Sequence, residues 1–134
     1  MGRRAFIAVA GVVLLVALAW WLAVHRAGHD AEPAEVDVRW GGTEGHPSCV
    51  YNPKHQAVDA KLRIDGTAPR RREVIVTVTA YADENTSDAV GSHTRRTWVE
   101  GTVHERLVVN IPVIREPHVD IDGETACKLS VSSP

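Results

Sequence analysis

The chain has 134 residues, enough for one compact domain and not for two. Its formal charge is −2, but residues 30–134 hold 12 Lys and Arg against 17 Asp and Glu, a balance of −5. A net-negative domain argues against nucleic acid as a partner and against tight docking on anionic lipid.

Residues 5–24 read "AFIAVAGVVLLVALAWWLAV", an uninterrupted run without a charge. As a helix at about 1.5 Å per residue it would span about 30 Å, the hydrocarbon thickness of a bilayer. The run is longer than the apolar core of a cleaved signal peptide, and no A-x-A pattern follows it. Trp20 and Trp21 stand where an aromatic belt meets headgroups, with His25 and Arg26 just beyond. The expectation is one transmembrane α-helix over 5–24, retained as an anchor and in contact with membrane lipid. Arg3 and Arg4 precede it, whereas Arg26 is followed by Asp30, Glu32 and Glu35. The positive-inside rule then puts residues 1–4 in the cytoplasm and the rest in an extracellular or periplasmic space of the plasma membrane. The start "GRRAFIA" is also similar to a twin-arginine export signal.

Residues 25–35, "HRAGHDAEPAE", are polar and contain Gly28 and Pro33, the composition of a short linker. From 36 to 134 the pattern is that of strands. "VDVRW" (36–40) alternates and ends at the breaker "GGTEG"; the next stretch, "HPSCVYNP", reads as irregular. "AVDAKLRI" (57–64) places Val58, Ala60, Leu62 and Ile64 on one face and Asp59, Lys61 and Arg63 on the other. "EVIVTVTAY" (73–81) is β-branched almost throughout, as in a buried strand. A polar turn, "DENTSD", leads to "AVGSHTRRTWV" (89–99), and "VEGT" reads as a turn into "VHERLVVNI" (103–111). "ETACKLSVS" (124–132) closes the chain, with Ala126, Leu129 and Val131 as candidates for the core. Six to seven short strands without a helical period predict an all-β antiparallel sandwich over 36–134.

The stretch "EVIVTVTAYADENTSDAVGSHTRRTWVEGTVHERLVVNIPV" resembles the Ig-like β-sandwich ectodomains of the FxLYD type, carried behind a single anchor helix on prokaryotic surfaces. "TAYAD" stands where that family has its aromatic-Leu-Tyr-Asp core. The resemblance implies an interaction or accessory domain without catalytic residues. Antibody-type domains fit less well, because no Trp lies between Cys49 and Trp98. The excess of arginine over lysine (Lys54, Lys61 and Lys128 only) points to a GC-rich prokaryotic source.

Cys49 and Cys127 are the only cysteines. An even count in a small exported domain predicts a disulfide between them. His46 and His55 flank Cys49 and are the weak candidates for a metal site, but they supply one half of the paired spacing that a zinc site shows. Blue copper is rejected, because Cys127 is followed by neither His nor Met. "DIDGE" (120–124) offers Asp120, Asp122 and Glu124 in calcium-loop spacing, yet it lacks the distal ligands, and an Asp-Gly turn is the better reading. Asn85 in "NTS" is a glycosylation acceptor on an exposed turn. Arg70, Arg71 and Arg72, and Arg95 with Arg96, read as a solvated face or a guarded sheet edge. No G-x-S-x-G, H-E-x-x-H or P-loop is present. The sequence therefore predicts a non-catalytic module that binds a protein or envelope component, without a cofactor. The alternative is an extracytoplasmic metal- or ligand-binding sensor domain using the loop histidines.

Overall fold

The computed structural model describes residue 20 and residues 34–133. The chain divides into two compact units, Met1–Pro33 and Ala34–Pro134, and the second of these is the β-domain. The anchor expected over 5–24 lies outside the described residues apart from Trp20. Among the described residues no helix is long and apolar enough to cross a membrane.

The fold is all-β and antiparallel. Its strands are β1 (Glu35–Trp40), β2 (Cys49–Asn52), β3 (Ala57–Tyr81), β4 (Ala89–Pro112) and β5 (Cys127–Ser132). β3 is the hub and pairs with each of the other four. β4 lies along one edge of β3, while β2, β1 and β5 succeed one another along the other.

The strands differ from the sequence pattern in two places. The segments 57–64 and 73–81 are one strand of 25 residues, and 89–99 and 103–111 are one strand of 24. "VEGT" is therefore a bend and not a reversal. Ala68 faces Gly101 and Arg72 faces Val99, so Pro69, Arg70 and Arg71 bulge opposite the single residue Glu100. Pro69 has no N–H to give a ladder, which is why a bulge accommodates it. Gly101 takes φ 71°, a left-handed conformation that side chains resist, and this turns β4 at the same point. The second difference concerns "HPSCVYNP": Cys49–Asn52 is a strand, paired with residues 57–60.

A straight strand of 24 residues would separate its ends by about 80 Å. Instead, the Ile114 N–H donates to the Val90 carbonyl at 3.0 Å, and the Val113 N–H to that of Gln56 at 3.0 Å. The β3–β4 hairpin thus folds over at its bend, and its tip meets its base. Hydrophobic alternation gives the reason. Val58, Ala60, Leu62 and Ile64 before the bend, and Val74, Val76, Val78 and Ala80 after it, are all buried on one face. Folding the hairpin places these two apolar faces in one core with Val99, Val103, Leu107, Val109 and Ile111. Leu129 is only half-buried and Val131 is 42% exposed, so the last strand contributes less to the core than its pattern predicts.

Cys49 and Cys127 form the expected disulfide, with Cα atoms 6.6 Å apart. Cys49 lies opposite Ala60 and Cys127 opposite Ala80, so the bridge ties the two halves of the folded hairpin together. Both facing residues are alanines with no exposed surface, which leaves room for the cystine. Closing a loop of 78 residues stabilises by about 4.5 kcal/mol through chain entropy.

Candidate functional site

β1 and β2 run in the same direction along one edge of β3, interrupted opposite a single residue, Lys61. The Gly41 N–H donates to the Lys61 carbonyl at 2.8 Å, and the Lys61 N–H to that of Ser48 at 2.7 Å. Residues 41–48 therefore leave the sheet and return to it at the same rung. Within the loop, Thr43 and His46 exchange backbone bonds of 3.2 and 2.8 Å. A Cβ on Gly42 would stand 2.7 Å from the His46 carbonyl oxygen and 2.8 Å from the Ser48 nitrogen, so only glycine allows this crossing. The returning end is clamped by Glu124, whose two carboxylate oxygens accept the Ser48 and Cys49 N–H groups, each at 2.9 Å.

That clamp decides how "DIDGE" is used. The Asp120 carboxylate accepts the N–H groups of Asp122 and Glu124, and the Gly123 N–H donates to the Asp120 carbonyl at 3.1 Å. The segment is an Asp-Gly turn, and both oxygens of Glu124 are occupied by backbone donors. Among the described residues no three His, Cys, Asp or Glu side chains converge as a metal-ligand set. His46 is exposed on the 41–48 loop, and His55 is exposed on the turn between β2 and β3.

The loop separates two cavities of opposite character. One, of about 680 Å³, is lined by His46, Ser48, Asp120, Asp122 and Glu124. The other, of about 360 Å³, is lined by Gly41, Thr43, His46, Lys61, Arg106 and Val108, with no carboxylate. His46 borders both.

The second cavity adjoins a row of arginines on the outer face of the sheet. Register places Arg39 of β1, Arg63 of β3 and Arg106 of β4 directly opposite one another. The next row consists of Asp37, Asp65 and His104. Asp65 accepts from Arg39 at 3.1 Å, lies 3.8 Å from Arg63 and bonds the His104 ring at 2.9 Å. The His104 hydrogen bond, together with the weaker charge effects of Arg63 and Arg39, holds the Asp65 carboxyl below its ordinary pKa. Among the described residues neither Arg106 nor Lys61 has a carboxylate within salt-bridge distance. Alternation puts Lys61 and Arg63 on one outer face, but it cannot bring Arg39 and Arg106 beside them, because register alone does so.

The remaining candidates lie apart from this row. Asn85 is exposed in the 82–88 loop at the hairpin tip. Arg71 stacks over Trp98 at 4.7 Å, and Arg96 pairs with Glu73 at 3.5 Å. The Arg95 guanidinium donates to the Val108 carbonyl at 3.1 Å, guarding an edge of β4.

A scan against protein-family models finds no match, and neither does a search of the curated proteins.

Proposed function

We propose that the chain is a single-pass membrane protein, N-terminus inside, whose disulfide-linked β-domain faces an extracytoplasmic space. There it serves as a non-catalytic module that binds a protein or an envelope component. The Cys49–Cys127 bridge carries this reading, because disulfides persist in oxidising compartments and the charge-free run 5–24 supplies a means of delivery. In this reading the folded hairpin is a two-layered β-sandwich. One layer holds β1, β2, residues 57–68 and residues 101–112, and the other holds residues 72–81, residues 89–99 and β5. The FxLYD-type likeness belongs to the same proposal. Its support is the strand–polar turn–strand pattern that runs from "AYADEN" into β4. The order of strands departs from an Ig-like one: β5 lies beside β3, whereas the last strand of an Ig-like order lies beside its predecessor.

Protease accessibility tests the orientation. With an epitope at the C-terminus, protease added to intact cells with a permeable outer envelope should remove the epitope. Protection until the membrane is lysed would overturn the proposal.

A further inference from the structure

The geometry points to an anion-binding site made by the Arg39–Arg63–Arg106 row and the cavity beside Lys61, suited to a linear polyanion whose repeating groups are phosphates. This inference rests on the binding role proposed above and names the chemistry of the partner.

Like charges directly opposite on neighbouring strands destabilise a sheet. Here three arginines stand in register across β1, β3 and β4, and Lys61 lies two residues from Arg63 on the same face. Asp65 offsets only part of this charge, since its contacts go to Arg39, Arg63 and His104. Arg106 and Lys61, neither of which pairs with Asp65, border the cavity of about 360 Å³. The row stands in a domain, Ala34–Pro134, that holds 12 Lys and Arg against 15 Asp and Glu, a balance of −3. The other carboxylates of this face, Glu35, Asp37 and Asp59, make no salt bridge among the described residues.

The shape of the array selects the ligand. Strands lie about 4.8 Å apart, so the row is about 10 Å long and straight, longer than one phosphate and matched to a chain of them. Guanidinium forks suit the paired oxygens of phosphate, and Lys61 adds a point charge at the cavity. The outward positions of β1, residues 57–68 and residues 101–112 include no Trp, Tyr or Phe. Bases would find no such ring to stack on, which favours a polyanion without them.

Calorimetric titration of the full-length protein, held in neutral detergent micelles at low salt, with sodium tripolyphosphate tests the site. Lys61→Gln and Arg106→Gln should each weaken binding about tenfold, with unchanged thermal midpoints. Arg96→Gln, a basic residue on the outer face of the other half of the hairpin that pairs with Glu73, should change it less than about twofold. Binding should also fall steeply as salt rises. Absence of tripolyphosphate binding, equal weakening by Arg96→Gln, or tighter binding of a single-stranded oligonucleotide of equal charge would overturn the inference. The titration does not depend on where the cell places the domain, so this inference and the proposed location fail separately.

Discussion

The two halves of the β3–β4 hairpin share a backbone plan and differ in what they show to solvent. Each buries an alternating set of β3 residues, Val58 to Ile64 in one and Val74 to Ala80 in the other. The outer face of residues 72–81 and 89–99 is largely neutral and satisfies itself: Thr77 bonds Thr94 at 2.9 Å and Thr79 bonds Ser92 at 3.0 Å. The outer face of residues 57–68 and 101–112 carries the arginine row, whose charges are only partly answered. Similar burial with unequal exteriors separates the task of holding the fold from the task of binding. In the proposal above, the second task falls to the half that bears the 41–48 loop.

The largest expected effect comes from severing the halves. Replacing both cysteines with alanine should cost about 4–5 kcal/mol in denaturant unfolding, most of the stability of a domain this size. A loss below about 1 kcal/mol would mean that the apolar faces hold the halves together without the staple. Next come cavities on either side of the bend: Leu62→Ala should cost about 3 kcal/mol and Val76→Ala about 2 kcal/mol. Comparable losses would show one shared core, whereas an early partial transition in one variant would show that its half unfolds alone.

Glu124→Gln is a smaller perturbation confined to the half that bears the 41–48 loop. An amide can accept from one of the Ser48 and Cys49 N–H groups but not from both as the carboxylate does. The expected cost is about 1–3 kcal/mol, with faster amide exchange across residues 41–48. The Thr125 hydroxyl is buried without a hydrogen-bond partner among the described residues, so Thr125→Val should be neutral or stabilising by up to about 1 kcal/mol. A clear destabilisation would reveal a partner for that hydroxyl.

The smallest effects concern pH. The Asp83 carboxyl is held below its ordinary value by the Ser87 hydroxyl and then by backbone N–H groups, chiefly that of Asp88, as Asp65 is by His104 and the arginines. A depressed folded pKa gives stability that is fully present above the unfolded value, about 3.9, and lost as pH falls through the folded one. Asp65→Asn and Asp83→Asn should each flatten the acid limb of the stability curve. Only Asp65→Asn should also tighten tripolyphosphate, because it removes the carboxylate that competes for Arg39 and Arg63. Tightening by both variants would point to net charge in place of the row.

Strand character was legible in the sequence because alternation at 57–64 and β-branching at 73–81 are local signals. The fused strands were not, because Pro69 and the Glu100-Gly101 pair look the same in a bend as in a hairpin turn. The disulfide was readable from the even cysteine count and the expected compartment, while the strand around Cys49 was hidden by the prolines on either side of it. Glu124 illustrates a different limit. Its neighbours Asp120 and Asp122 suggest an ion, but its partners are backbone groups 75 and 76 residues away. The arginine row is likewise invisible without register, since Arg39, Arg63 and Arg106 are far apart along the chain.

The central claim, a domain stapled across its two halves in an oxidising compartment, is tested most directly by thiol labelling in native envelopes. Denatured without reductant, the protein should take up no maleimide, and after reduction it should take up two per chain, one each at Cys49 and Cys127. Two reactive thiols before reduction would contradict both the staple and the location proposed from it.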